Sequence, residues 1–108
     1  MMYFEFVIDN EAYKLRLNTR NIVALEKQLG CNPLAIFGAG DTIPTVTEMV
    51  NVLHQSLQQF QHGITLNDAY DIFDKYLEAG NMATDFIAVI VEIYKVSGII
   101  KESASEKN

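Results

Sequence analysis

The side chains that could do covalent or metal chemistry are few, and none stands in a spacing typical of a catalytic site. The chain has one cysteine, Cys31, and two histidines, His54 and His62. A nucleophilic cysteine needs a nearby base or cation, and the sequence places none beside Cys31. The histidines do not form the His-Glu-x-x-His pattern of a zinc hydrolase. We therefore expect no catalytic residue, no cofactor and no metal site.

A row of carboxylates follows helical spacing in the second half of the chain. Its members, Asp68, Asp71, Asp74 and Glu78, recur every three or four residues. A calcium loop needs ligands at alternate positions and a central glycine, and this row has neither. We interpret the row as a solvated acidic helix face, and the alternative is a docking strip for a basic segment.

Composition bounds the class of protein. The chain has 108 residues, a net charge of −6 and 49% hydrophobic residues, which predicts one globular domain over residues 1–100 and a flexible polar tail over residues 101–108. The negative charge disfavours binding to nucleic acid phosphates. The N-terminus has no signal-peptide pattern, and the longest apolar run, residues 86–91, is too short to span a bilayer. We expect a soluble cytosolic protein that binds neither nucleic acid nor membrane.

The N-terminal segment predicts a β-hairpin. Residues 3–8 and 12–17 alternate between apolar and polar with period two. We place the turn at Asn10-Glu11, an imperfect pair because the second position prefers glycine, so the loop could be longer. The predicted cross-strand pairs are Ile8 with Tyr13, Phe6 with Leu15, and Phe4 with Leu17.

Four helices are predicted after the hairpin. The first is capped by Thr19 and ends at Leu29, and residues 34–41 follow as a short turn and a loop. The second begins at the capping box of Thr45 and Glu48 and runs to about Gln61. The third runs from the cap at Thr65 to Gly80, and the fourth covers residues 82–97. The predicted fold class is α+β, an N-terminal β-hairpin packed on a bundle of about four α-helices.

The predicted inner faces of the middle helices follow helical spacing. They comprise Val46, Met49, Val50, Leu53, Leu57 and Phe60 in the second helix, and Leu66, Ala69, Tyr70, Phe73, Tyr76 and Leu77 in the third.

The helix predicted over residues 82–97 has an apolar arc of roughly 220° at 100° per residue. A helix that covers one core needs little more than about 100°. The surplus predicts a surface that meets another copy or another protein. We assign this partner-binding surface to Ile87, Ile90, Val91 and Tyr94. The alternative is that the hairpin covers this edge, which would make Tyr94 a core residue.

The order of these features resembles the tail assembly chaperones of long, non-contractile-tailed bacteriophages and related prophages, over nearly the whole chain. The matching positions are residues 19–30, 32–34, 44–46, 63–65 and 68–70, with Leu53, Leu57, Tyr76, Leu77, Gly80, Ser97 and Gly98. No single motif among them is diagnostic, and the specificity lies in their order and spacing.

The resemblance implies a non-enzymatic chaperone of the host bacterial cytoplasm that is absent from the finished virion. Such proteins bind the tape measure protein, keep it soluble and help to recruit tail tube subunits, and homo-oligomers are compatible with that role. The chain resembles the short form made without a ribosomal frameshift. A generic helical adaptor or regulatory subunit is the non-catalytic alternative. A small hydrolase or thiol enzyme using Cys31 and a histidine is the enzymatic one.

Overall fold

The computed structural model describes residues 2–38 and 43–101. Within these residues a two-stranded antiparallel hairpin precedes four α-helices, which confirms the α+β class. The elements are β1 (Phe4–Ile8), β2 (Glu11–Leu15), α1 (Thr19–Leu29), α2 (Val46–Leu57), α3 (Leu66–Glu78) and α4 (Phe86–Val96), with 3₁₀ helices at Pro33–Phe37 and Ala83–Asp85. Ala39, Gly40 and Asp41 of the predicted loop, and all of the predicted tail except Lys101, lie outside the described residues.

The hairpin forms, but its predicted turn and register are wrong. The turn is Asp9-Asn10, one residue earlier than predicted, because Asp9 takes up a left-handed φ of 54°, which aspartate tolerates better than most residues. The pairs are Phe4 with Leu15, Glu5 with Lys14, Phe6 with Tyr13, Val7 with Ala12, and Ile8 with Glu11. The shift is two residues, so each side chain keeps its predicted face of the sheet.

The helix starts follow local hydrogen bonding. The capping box predicted at Thr45 forms, since the Glu48 N–H donates to Thr45 Oγ1 at 3.0 Å. The cap predicted at Thr65 also forms and is itself a capping box, in which the Asp68 N–H donates to Thr65 Oγ1 at 3.0 Å. The cap of α1 is Asn18 rather than Thr19, since the Asn21 N–H donates to Asn18 Oδ1 at 2.9 Å.

Several predicted helix boundaries differ from the structure. The turn predicted from residue 34 is a 3₁₀ helix at Pro33–Phe37, where proline at the first position supplies a helical φ. The second helix ends at Leu57 and not near Gln61. The helix predicted over residues 82–97 divides into the short 3₁₀ helix and α4.

Helix α4 packs against α2 and β1. Its side chains Phe86, Ile90, Ile93 and Tyr94 are all 0% exposed. Phe86 lies in an aromatic cluster with Phe6 of β1 and with Phe73 and Tyr76 of α3, at ring-centroid distances of 5.3–5.8 Å. No α-helix of the described residues combines the length and apolar character needed to cross a bilayer.

Candidate partner-binding surface

The partner-binding surface predicted on α4 is partly wrong. Ile90 and Tyr94 are fully buried, so neither can meet a partner in this conformation. The Tyr94 hydroxyl donates to the Pro33 carbonyl at 2.9 Å, and its ring packs edge-on against Phe37 at 6.0 Å. Burial raises the pKa of Tyr94, and nearby Cys31 and Glu48 add to that rise. The 3₁₀ helix at Pro33–Phe37, and not the hairpin, therefore covers this side of α4.

The other two residues of the predicted surface keep part of their area in solvent. Ile87 and Val91 lie one turn apart on the flank of α4 beyond Tyr94, and both are partly exposed. Ile87 packs on the edge of the core. These two side chains form a narrow apolar strip, smaller than the surface predicted from the sequence.

Helix α3 carries more exposed apolar surface than its sequence predicted. Tyr70 and Leu77 were predicted to face the core, yet they are 44% and 38% exposed. Leu66, on the same side of the helix, is partly exposed. At 100° per residue these three side chains fall within about 40° of the helix surface. We call them the α3 ridge (Leu66, Tyr70 and Leu77).

The α3 ridge is exposed because the core contacts only one part of the apolar arc of α3. Ile72, which the predicted inner face omitted, is buried, and so is Phe73. The buried arc between these two positions spans about 100°, a normal width for a helix on the outside of a small domain. An apolar arc of about 160° on one helix is the sequence signal that could have revealed the ridge.

An acidic strip runs beside the α3 ridge. Asp71, Asp74 and Glu78 are exposed and lie about 80–140° around the helix from Leu66, next to the ridge. Asp68 serves a different purpose, since it accepts a hydrogen bond from the Thr65 N–H at 2.9 Å and caps the helix. Its hydrogen bonds to Thr65 lower the pKa of Asp68. The outer surface of α3 thus combines an apolar ridge with an adjacent negative strip.

The candidate chemical residues lie in separate elements. Cys31 is a free, partly buried thiol after the C-terminus of α1, and His62 is exposed in the loop between α2 and α3. His54 of α2 is partly buried, and its Nδ1 has no hydrogen-bond partner within the described chain. Residues 2–38 and 43–101 contain no group of three or more His, Cys, Asp or Glu side chains that could hold a metal. The surface of those residues has no pocket.

Comparison with known proteins gives one match. The model of a family described as "Family of unknown function (DUF6096)" matches residues 6–107, and the chain belongs to this family. No curated protein and no solved structure matches the chain.

Proposed function

We propose that this member of the DUF6096 family is a non-enzymatic tail assembly chaperone of long, non-contractile-tailed phages and prophages. In this role it binds the tape measure protein in the host bacterial cytoplasm, keeps it soluble and helps to recruit tail tube subunits. It leaves before the virion is complete. The order of caps, glycines and leucines along the chain supports the proposal. So does an exposed apolar surface, which a protein that holds an aggregation-prone target requires.

The α3 ridge is the observation that carries this proposal. Its Tyr70 and Leu77 side chains are exposed beside the arc of α3 that packs in the core. Helices bind one another through apolar residues spaced by three, four and seven positions. The matching partner is an amphipathic helix, the structure we expect of a long tape measure protein.

The acidic strip indicates which charge the partner helix carries beside its apolar residues. Asp71, Asp74 and Glu78 lie on one side of the α3 ridge, so a bound helix places one flank against three carboxylates. Lysine or arginine on that flank gives electrostatic complementarity, which fixes orientation and speeds association. We therefore propose that the bound tape measure segments carry basic residues beside their apolar positions. The strip formed by Ile87 and Val91 on α4 is a second proposed contact.

One copy of the chain binds such a helix weakly. Burying the exposed parts of Tyr70 and Leu77 is worth about 3–4 kcal/mol at 25 cal/mol per Å². The loss of translational and rotational freedom on association costs about 4–15 kcal/mol. Many copies along one long target overcome this deficit, because each further contact occurs at high effective concentration. Weak contacts at single sites also allow tail tube subunits to replace the chaperone.

Co-expression with a fragment of a phage tape measure protein tests the proposal. We expect the wild-type chain to keep the fragment soluble and to co-purify with it. The double variant Tyr70→Glu, Leu77→Glu should fold normally, since both side chains are exposed, and should lose at least tenfold of the captured fragment. The matched control is Val23→Glu on α1, where valine is 43% exposed, and it should capture as much as wild type.

The same experiment separates the chaperone from a generic helical adaptor. An adaptor would fold identically and would leave the tape measure fragment insoluble, with or without the ridge substitutions. Equal capture by wild type and the double variant would instead overturn the α3 ridge as the binding surface. Circular dichroism of each purified variant verifies that loss of capture is not loss of folding.

A further inference from the structure

The outer edge of β2 is covered by polar groups from α2 and the turn after it. The Lys14 N–H donates to Gln61 Oε1 at 2.9 Å, and Gln61 Nε2 donates back to the Lys14 carbonyl at 3.0 Å. The Arg16 N–H donates to the Ser56 carbonyl at 3.0 Å. The Gln61 amide therefore occupies the position that a third strand would take beside β2.

The outer edge of β1 has no such cover. Ile8 and Glu11 close the two-residue turn, so the backbone groups of Phe4, Phe6 and Ile8 point toward β2 and those of Glu5 and Val7 point away. Glu5 and Val7 are exposed, with Val7 at 57%. Within residues 2–38 and 43–101, no hydrogen bond to the outward N–H or C=O groups of Glu5 and Val7 is present. An unpaired strand edge of this kind is a template for another strand.

We propose that β1 pairs with β1 of a second copy of this chain, antiparallel and centred on Phe6, to form a continuous four-stranded sheet. The strand order is β2, β1, β1 of the second copy, and β2 of the second copy. In this register the outward backbone groups of Glu5 form hydrogen bonds with those of Val7 of the second copy. The outward groups of Val7 do the same with those of Glu5 of the second copy. Two pairs of backbone hydrogen bonds then join the copies.

The charges on β1 select this register over its neighbours. Pairing centred on Glu5 would place the two Glu5 carboxylates directly opposite each other. Pairing centred on Val7 would place Glu5 opposite Asp9 of the second copy. Like charges directly opposite are destabilising. Centring on Phe6 places each Glu5 opposite a valine, and each Glu5 keeps Lys14 as its neighbour on the other side.

The faces of the strand also match in this arrangement. Residues directly opposite in an antiparallel pair point to the same side of the sheet. Phe6, 4% exposed on the helix-facing side, then lies opposite Phe6 of the second copy, so the helices of both copies lie on one side. On the outer side the two Val7 side chains become diagonal neighbours and cover each other. A strand of five residues gives a small interface, so we expect a dissociation constant in the micromolar to millimolar range.

Sedimentation velocity from about 10 µM to about 1 mM tests the proposal. The wild-type chain should pass from monomer to dimer over this range. Val7→Pro removes an outward N–H and leaves the β1–β2 ladder intact, because proline is tolerated where the N–H of an edge strand faces solvent. We expect it to weaken the dimer at least tenfold. The matched control is Ala12→Pro, the residue paired with Val7, whose N–H faces the other edge of the sheet, and it should dimerise like wild type.

Substitutions that change charge at position 7 test the register. Val7→Lys creates two lysine–glutamate pairs across the twofold axis and should tighten the dimer by roughly threefold to tenfold. Val7→Glu creates two pairs of like charge and should weaken it by a similar factor.

Amide exchange of the wild-type chain gives a measurement that needs no variant. The Glu5 and Val7 amides should gain protection as concentration rises, whereas the inward amides of Phe6 and Ile8 should be protected throughout. A chain that stays monomeric at about 1 mM would overturn the proposal. So would a dimer whose Glu5 and Val7 amides exchange freely, or one that Val7→Pro and Ala12→Pro weaken equally.

Discussion

The Tyr94 hydroxyl donates a hydrogen bond to the Pro33 carbonyl, 2.9 Å away and 61 residues distant in sequence. This bond joins helix α4 to the 3₁₀ helix at Pro33–Phe37. Both ends are buried, because Tyr94 is 0% exposed and Pro33 is among the buried residues of its helix. The contact explains why an amphipathic aromatic at the edge of an apolar arc became a core residue and not a surface anchor.

Replacing Tyr94 with phenylalanine tests the contribution of this bond. Tyr94→Phe keeps the ring and removes the hydroxyl that donates to the Pro33 carbonyl, which should lower the free energy of unfolding by about 0.5–1.5 kcal/mol. Urea denaturation measures the change. The control, Tyr70→Phe on the exposed α3 ridge, should alter stability by no more than about 0.5 kcal/mol. Equal effects of the two substitutions would contradict the role given to the Tyr94 bond.

The side-chain amide of Gln61 offers a second stability prediction. It exchanges two hydrogen bonds with the backbone of Lys14 and donates a third to the Leu57 carbonyl at 2.8 Å. Gln61→Ala should lower the free energy of unfolding by about 1–2 kcal/mol and speed exchange of the Lys14 amide. Gln28→Ala, on the exposed side of α1, is the control. An unchanged exchange rate at Lys14 would show that Gln61 does not protect the edge of β2.

Local signals explain which parts of the fold could be predicted. The boxes at Thr45 and Thr65 need only residues three positions apart, so the sequence contains all the information that sets those helix starts. The predicted turn was one residue too late, because Asp9 adopts the left-handed backbone conformation for which glycine is the usual residue. The side of the hairpin predicted for each side chain is still correct, because a register shift of two residues leaves every side chain of β1 and β2 on the same face of the sheet.

The candidate site could be predicted less well, because coverage by distant elements is not a local property. The wide apolar arc of α4 indicates surplus hydrophobic surface, but a helix that is apolar almost all round is also typical of a buried one. Ile90 and Tyr94 followed the second pattern, and the 3₁₀ helix that covers Tyr94 had been predicted as a turn. The surplus instead appeared on α3, where Tyr70 and Leu77 lie outside the arc that the core contacts.

The environment of His54 predicts a pH dependence of stability. Burial lowers the pKa of His54, and a backbone hydrogen bond at Ile64 opposes this only in part. Above the ordinary value of about 6.5 the histidine is neutral in both states. As pH falls below that value, the unfolded chain binds a proton more readily than the folded one, so stability falls.

Denaturation at several pH values between about 7.5 and 5 measures this effect. As the pH is lowered over this range, the free energy of unfolding of His54→Gln should fall by less than that of wild type. This holds even if the variant is less stable than wild type at the highest pH. His62→Gln, at an exposed position, should retain the decrease of the wild-type chain. If stability decreased equally in all three proteins, the pH dependence would come from titrating groups other than His54.

Aggregation of the tape measure protein, followed by light scattering, tests the central proposal most directly. A phage tape measure protein is diluted from denaturant with the wild-type chain, with the double variant Tyr70→Glu, Leu77→Glu, or with Val23→Glu. We predict that the wild-type chain and Val23→Glu suppress scattering once they are in several-fold molar excess, and that the double variant does not. Scattering as high with the wild-type chain as with no added protein would contradict the account.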